Sequence, residues 1–192
     1  MLQMLNNERR FEYEAPLKKA VTWPNTNRYF YKGIVSYCDS VNTHPERLKV
    51  VFVDFQLSNL LLFLDQDWLI YTACHRVILI TDSHLLPLAN YYKRIFHQID
   101  SVIQGSGSSE DFFNQIDHVI SGKRVLSPSK ICFSSREICL LRTLTRGTSV
   151  RDLADRMQLS PKTVYAMRQN MLGKMGLTKM NDIFMQSISG SR

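Results

Sequence analysis

Hydrogen-bonding side chains lie on one side of a helix that we predict over residues 161–175. At 100° per residue, the apolar side of this helix contains Val164, Met171, Met175 and Met167, with Leu172 at its edge. The opposite side carries no acid and contains Lys162, Tyr165, Ala166, Gln169 and Gly173. Donors and acceptors beside small residues suit a helix that enters the DNA major groove and contacts base edges. The pattern therefore predicts a DNA-contacting face.

The distribution of charge points to the same chemistry. The chain has 192 residues, 24 Lys+Arg and 17 Asp+Glu, which gives a net charge of +7. Residues 128–192 contain 11 of the basic residues and 4 of the acidic ones, so this last third carries the whole excess. A basic unit joined to a neutral body is typical of a polyanion-binding domain attached to a sensing or assembly domain.

Helix start and stop signals divide the last third of the chain into four helices. Ser134 and Glu137 have the spacing of a capping box, and Ser149 with Asp152 repeats it. Ser160-Pro161 begins the third helix, and Thr178 is the predicted cap of the last one. A short helix, a tight turn and a second helix form the helix-turn-helix arrangement. We predict an all-α four-helix domain over residues 133–192.

The earlier part of the chain, residues 21–122, alternates strands with helices. Continuous apolar runs rich in β-branched residues are typical of parallel strands that are covered on both faces. The strands are predicted at Val50–Val53, Val77–Ile80 and Ser101–Ile103, and the helices at Leu57–Tyr71, Leu85–His97 and Glu110–Ile120. The pattern predicts an open α/β sheet. An N-terminal arm (1–20) and a short polar linker (123–132) flank this domain.

Patterns for catalysis and metal binding are absent from the sequence. Its five histidines are scattered, and no Ser-His-Asp, metal-ligand or phosphate-loop spacing occurs. The four cysteines form no CxxC pair, which favours reduced thiols in the cytoplasm. The longest apolar run, Leu60–Leu64, is far shorter than the roughly 20 residues of a membrane span, and the first residues lack a signal-peptide core. We predict a cytoplasmic protein that is not an enzyme, with no cofactor, no metal and no membrane partner.

Residues 133–183 resemble the DNA-binding domain of the LuxR/NarL (FixJ) family. The motifs that carry the resemblance are Arg136-Glu137, Leu140-Leu141, Arg146-Gly147, Leu153-Ala154, Ser160, Lys162-Thr163-Val164 and Lys174-Met175-Gly176. The resemblance implies dimeric binding to double-stranded DNA and control of transcription. It also implies that Lys162 and Thr163 contact phosphates and that Tyr165, Ala166 and Gln169 read bases, in agreement with the helical wheel.

Two further basic residues, Arg168 and Lys174, complete the predicted DNA-binding set. Arg168 points towards the core half of the wheel, where it either reaches a phosphate or covers apolar surface. Met167 stands where the family usually has His, and on the wheel this departure changes packing at the rim more than base readout.

The α/β half resembles a degenerate receiver domain. Asp54 ends the strand where a receiver carries its phosphoryl-accepting Asp, but the acidic pair that would hold Mg²⁺ falls near Asn25 and Thr26, and the conserved Lys position falls near Gly105. We therefore predict that Asp54 is not phosphorylated. Only 21 positions separate Gly33 from Asp54, which favours a sheet that lacks one receiver strand. A degenerate receiver with a basic domain resembles enterobacterial regulators of fimbriae (common pilus) and capsule.

Two classes of function are open at this point. The first is a sequence-specific transcription regulator that acts without phosphorylation and controls fimbrial or other surface-structure genes, as a homodimer. The second is an auxiliary co-regulator that acts mainly by forming a heterodimer with another response-regulator-type protein. For the second, the segment with Tyr91, Tyr92 and Phe96 is predicted to supply aromatic anchors for the partner. The sequence also leaves open a small-molecule sensor in the α/β half.

Overall fold

The computed structural model describes residues 22–42, 49–72, 75–123, 125 and 129–189. The predicted N-terminal arm and residues 124 and 126–128 of the predicted linker lie outside the described residues. The α/β half contains β1 (Thr22–Trp23), α1 (Arg28–Ser40), β2 (Val50–Phe55), a 3₁₀ turn (Leu57–Asn59), α2 (Leu60–Phe63), α3 (Trp68–Tyr71), β3 (Arg76–Thr81), α4 (Leu86–Ile95), β4 (Ile99–Gln104) and α5 (Ser109–Ile120). The helical part contains α6 (Ser135–Thr145), α7 (Val150–Met157), α8 (Pro161–Lys174) and α9 (Met180–Ser189).

The four strands of the described residues form one parallel sheet in the order β1-β2-β3-β4. Val51 pairs with Val77 between β2 and β3, and Leu79 pairs with Val102 between β3 and β4. The predicted open α/β sheet is confirmed, and β2, β3 and β4 are the three strands that the sequence predicts. The two-residue strand β1 was not predicted, because it is too short to show a pattern of its own.

Helices cover both faces of the sheet, as the continuous apolar strands require. On one face, α1 and α5 pack against β2 and β3 through Ile34, Cys38, Ile116 and Val119, all of which are buried. On the other face, the short helical elements between β2 and β3, together with α4, pack against Val53 and Leu79. The alternate residues of each strand thus belong to two separate cores.

The segment Leu57–Tyr71 is not one helix, although its length permits one. It is divided into the 3₁₀ turn, α2 and α3, with bends at residues 64–66. The guanidinium of Arg142, from α6, donates a hydrogen bond to the carbonyl of Leu64. A continuous helix would use that carbonyl for the amide of Trp68, so the contact with α6 replaces a helical hydrogen bond.

Side chains close in sequence cap the first turns of the helices in the C-terminal part. Ser134 and Glu137 form the complete capping box that the sequence predicts. Ser149 accepts the amide of Asp152, but the Asp152 carboxylate accepts from the Ser149 hydroxyl instead of its amide, so this cap is only half of a box. The last helix starts at Met180, where the carboxylate of Asp182 accepts the amides of Thr178 and Lys179. The Thr178 hydroxyl donates to the same carboxylate.

A single apolar core joins the two parts of the chain. It extends from Leu79 and Tyr92 in the α/β half to Leu141 in α6 and Met175 beyond α8. Polar contacts cross the same boundary: the ring Nδ1 of His84 lies 2.7 Å from the carbonyl oxygen of Met175. In the described part of the chain, no helix is long and apolar enough to cross a bilayer.

The aromatic segment of α4 belongs to this core. Tyr91 is 8% exposed and Tyr92 is fully buried, and the Tyr92 hydroxyl donates to the carbonyl of Phe63. Phe96 packs against the same core. The prediction that these side chains present partner-binding anchors is therefore wrong: they stabilise the protein's own interior.

Candidate nucleic-acid interface

The buried side of α8 fixes the direction of its opposite side. Val164 and Met171 are fully buried, and Leu172 and Met175 are each 1% exposed. These residues pack in the core together with Leu153 and Ala154 of α7 and Leu141 of α6. The helical wheel is therefore confirmed on its apolar side, and Met167 lies half-buried at its rim, as predicted.

The residues that the helical wheel predicts to contact DNA all lie on the exposed side of α8. This exposed face, called the α8 face below, contains Lys162, Thr163, Tyr165, Ala166, Gln169 and Gly173. Tyr165 is 47% exposed, a large fraction for an aromatic side chain. The α/β half contacts the end of α8 near Met175 and leaves the α8 face open.

The first turn of α8 presents backbone donors beside a cation. The hydroxyl of Ser160 accepts the amide of Thr163 at 3.1 Å, and Pro161 has no amide hydrogen. The amide of Lys162 has no carbonyl partner within the helix, because the first helical amides lack one. A helix N-terminus with a free amide and an adjacent Lys is suited to a phosphate group.

Arg168 covers an aromatic ring. Its guanidinium carbon lies 4.8 Å from the centre of the Tyr165 ring, within the range of a cation–π interaction. Its Nε is buried without a hydrogen-bond partner. Of the two alternatives for Arg168, the structure therefore favours coverage of neighbouring surface, and this contact orients Tyr165 on the α8 face.

Lys174 is held inside the helical domain. Its Nζ donates to the carboxylate of Glu137 at 2.8 Å and to the carbonyl of Cys132 at 3.0 Å. Burial alone would raise the pKa of Glu137, but the hydrogen bonds from Lys174 and Ser134 outweigh it and lower this pKa. These two bonds tie Lys174 to α6 and to the residues before it, and its contact with DNA stays a prediction.

The site around Asp54 has the position, but not the chemistry, of a receiver's phosphorylation site. The Asp54 side chain is 1% exposed. Its Oδ2 accepts from Asn27 at 3.0 Å and from Asn59 at 3.3 Å, whereas its Oδ1 has no partner. Burial raises the pKa of Asp54, the two amides lower it, and the charge of Asp82 raises it further.

The neighbours of Asp54 differ in detail from the sequence prediction. The residue beside Asp54 is Asn27, two positions after the Asn25 that we aligned with the receiver's acidic pair. Asp82 accepts the amides of Leu57 at 2.7 Å and Leu85 at 2.8 Å, so its carboxylate holds loops together. Gly105, in the place of the receiver's Lys, contributes only its amide, to the carbonyl of Thr81. Over the described ranges, no three His, Cys, Asp or Glu residues cluster in a way that could hold a metal ion.

The α/β half contains a buried acidic residue at the receiver position, Asp54, and is joined to a helix-turn-helix domain. This arrangement defines a DNA-binding regulator with the domain order of a response regulator. Residues 3–120 match the family described as the EcpR N-terminal domain, and residues 132–185 match the bacterial regulatory proteins of the luxR family. The chain belongs to the EcpR N-terminal domain family. Its second domain makes it a LuxR-type DNA-binding regulator.

The chain is similar in sequence to proteins of Escherichia coli and Salmonella typhi, two of which are named for a surface structure. The chain is 26% identical over 169 residues to protein YqeH of Escherichia coli K12, covering 87% of this chain and 80% of YqeH. It is 21% identical over 158 residues to the Vi polysaccharide biosynthesis protein TviA of Salmonella typhi, covering 81% and 88% of the two chains. It is 35% identical over 86 residues to the Fimbriae Z protein of Escherichia coli K12, covering 43% and 39%.

A solved structure of RcsB dimers bound to DNA resembles this chain over 87% of its length and 96% of that chain, with 14% identity and a TM-score of 0.43.

Proposed function

We propose that this protein binds specific double-stranded DNA through the α8 face and thereby controls genes for fimbriae or another surface structure, in the cytoplasm. The single observation that carries the DNA-binding mode is the exposure of this face while the opposite side of α8 is fully buried. The similarity to the Fimbriae Z protein and to TviA supports the choice of regulated genes.

Individual roles follow from position on the helix. Lys162 and Thr163, at the N-terminal end of α8, contact phosphates and set the depth of the helix in the groove. Tyr165 and Gln169 face outward over the next turns and contact base edges, and the small side chain of Ala166 permits close approach. Arg168 positions Tyr165 through its contact with the ring.

The α/β half, residues 21–122 in our division of the chain, acts as an assembly domain that neither catalyses a reaction nor is switched by phosphorylation. Phosphoryl transfer requires a solvent-accessible carboxylate and a bound Mg²⁺. Asp54 is buried against two asparagine amides, and Asp82 is occupied by two backbone amides. The protein is proposed to act as a dimer, in which a second copy covers exposed apolar side chains of α9 such as Phe184 and Met185.

The DNA-binding proposal is tested with the full-length protein. The protein is first used to select binding sequences from a random duplex library, and fluorescence anisotropy then compares the selected duplex with a scrambled one. Gln169→Ala should lose about 1–3 kcal/mol of preference for the selected duplex. Lys162→Ala should weaken binding to both duplexes alike and reduce the slope of log K against log salt by about one.

The control for charge is Lys32→Ala, which removes a cation from an exposed position of α1, away from the α8 face. It should change neither the preference nor the salt slope by a comparable amount. Equal losses for Gln169→Ala on both duplexes would show that the α8 face does not read bases. Analytical ultracentrifugation with and without the selected duplex separates a homodimer from a protein that needs a heterodimer partner.

Phosphorylation is tested by incubation with acetyl phosphate and Mg²⁺ followed by intact-mass measurement. We expect no added phosphoryl group. A gain of one phosphoryl group that disappears in Asp54→Ala would refute the phosphorylation-independent part of the proposal and leave its DNA-binding part standing.

A further inference from the structure

A cavity of about 300 Å³ opens between α1 and α5. It lies beyond the carboxyl ends of the strands, lined by Gln56 after β2, Ile80 of β3 and the loop that follows β4. Ligands of open parallel sheets bind at this edge, and the volume falls at the lower end of the range of small-molecule sites. The α1–α5 face is opposite the face on which the helical domain packs, so the domains leave the cavity open.

Three glycines, Gly33, Gly105 and Gly107, line this cavity, and the backbone does not require glycine at the first two positions. Gly33 lies within α1, where glycine is unfavourable compared with alanine, and a Cβ at Gly33 would meet no atom within 4 Å. A Cβ at Gly105 would make only ordinary contacts, the nearest at 3.8 Å from the Thr81 carbonyl oxygen. Neither residue has a positive φ. Both glycines are exposed at the edge of the cavity, so the absence of a side chain at each position leaves its opening wide.

Aromatic side chains form the walls of the cavity. Phe30 from α1 and Phe112 and Phe113 from α5 are half-buried, and the last two rings lie 5.4 Å apart. Tyr29, at the mouth, is 90% exposed. Flat aromatic ligands bury well against such rings, and their binding would cover the apolar surface of Tyr29.

The polar groups near the cavity favour a ligand that accepts a hydrogen bond and carries no charge. The Ser108 hydroxyl caps α5 by accepting the amide of Asp111 at 3.1 Å. The preceding amides, of Ser109 and Glu110, have no carbonyl partner within the helix, and Ser109 lines the cavity together with Gln56. The carboxylates of Glu110 and Asp111 stand in the same turn and oppose a second negative charge.

We propose that the cavity between α1 and α5 is a binding site for an uncharged, planar aromatic molecule of two fused rings that carries a hydrogen-bond acceptor. The rings lie between the aromatic walls over Gly33, and the acceptor faces the first amides of α5. The site is independent of the proposed DNA contacts, because it uses other elements and the opposite side of the sheet.

Coumarin, a flat two-ring lactone, is the probe for the test. It is titrated into the full-length ¹⁵N-labelled protein, and we expect saturable shifts of amide resonances in α1, α5 and the loop after β4. Gly33→Leu should fill the cavity and weaken coumarin binding at least tenfold without lowering Tm. Ser36→Leu adds the same side chain at an exposed position of α1 outside the cavity and should leave coumarin binding unchanged.

Coumarin-3-carboxylate tests the requirement for a neutral ligand and should bind at least tenfold more weakly than coumarin. Equal binding of the two probes, equal coumarin affinity in the wild type and Gly33→Leu, or shifts that map outside α1 and α5 would each overturn the proposal. Anisotropy with the selected duplex is measured on the same samples. Loss of DNA binding with intact coumarin binding would count against the proposed function and not against this site.

Discussion

Replacing Asp54 by Asn should stabilise the protein and leave its DNA affinity unchanged. Asp54 is 1% exposed, and one of its carboxylate oxygens has no hydrogen-bond partner. Burial raises the pKa of this side chain, which shows that the folded state disfavours its charged form. Asparagine has nearly the same shape, and its carbonyl oxygen can accept the same two bonds from Asn27 and Asn59.

The size of the effect follows from the buried charge that the substitution removes. The amide nitrogen of the variant takes the place of the unpartnered Oδ1 and gains no partner there, so only the extra cost of burying a charge is recovered. Asp54→Asn should therefore raise the free energy of unfolding by about 1 kcal/mol at pH 7.5. Because the folded-state pKa is raised, the cost is fully present above that pKa. It is relieved as the pH falls towards the ordinary value for Asp, near 4. The advantage of the variant should therefore shrink with acidification.

Urea denaturation of both proteins in a pH series from 7.5 down to about 4, followed by tryptophan fluorescence, measures this difference directly. Asp82→Asn is the contrasting variant, because the Asp82 carboxylate accepts two backbone amides and its neutralisation should destabilise the protein. A destabilised Asp54→Asn, or an advantage that does not shrink as the pH falls to about 4, would refute the reasoning. A large change in DNA affinity would show that Asp54 controls the α8 face.

Three other variants test the helical domain. Glu137→Ala removes the carboxylate that accepts hydrogen bonds from Ser134 and Lys174. It should lower the free energy of unfolding, measured in urea, by about 2–4 kcal/mol. Since the pKa of Glu137 is lowered, this contribution should disappear as the pH falls below the ordinary carboxyl range. Arg142→Ala removes the contact with Leu64 and should separate the unfolding of the two domains. Tryptophan fluorescence reports only Trp23 and Trp68 in the α/β half, so its unfolding curve should no longer coincide with that from far-ultraviolet circular dichroism. Coincident curves would contradict this expectation. Arg168→Ala should reduce the preference for the selected duplex by about 0.5–1 kcal/mol through the lost contact with Tyr165, and an unchanged preference in anisotropy would exclude this positioning role.

The features that could be predicted from sequence depend on neighbouring residues. The box of Ser134 and Glu137, the start at Pro161 and the buried side of α8 are each set within a few positions, and all are confirmed. The strands β2 and β3 were also recognisable, because burial on both faces leaves an unbroken apolar run.

The features that were missed depend on contacts between distant parts of the chain. The break after α2 requires Arg142, 78 positions away from Leu64. The bond from Lys174 to Glu137 joins residues 37 positions apart, and the sequence contains no signal for it. Asn27 reaches Asp54 across 27 positions, so no spacing rule could identify it. The burial of Tyr92 likewise depends on distant residues, because its ring packs against Phe55 and Trp68 and its hydroxyl donates to the carbonyl of Phe63.

The core that joins the two domains has a consequence for the geometry of the DNA target. The end of α8 packs on the α/β half through Met175 and its neighbours. A contact that aligns the two α/β halves of the proposed dimer therefore also aligns its two α8 helices. Half-sites in phase lie about 10 base pairs apart. An insertion of about five base pairs would turn one half-site to the far side of the duplex, where the second α8 of the proposed dimer would not reach it.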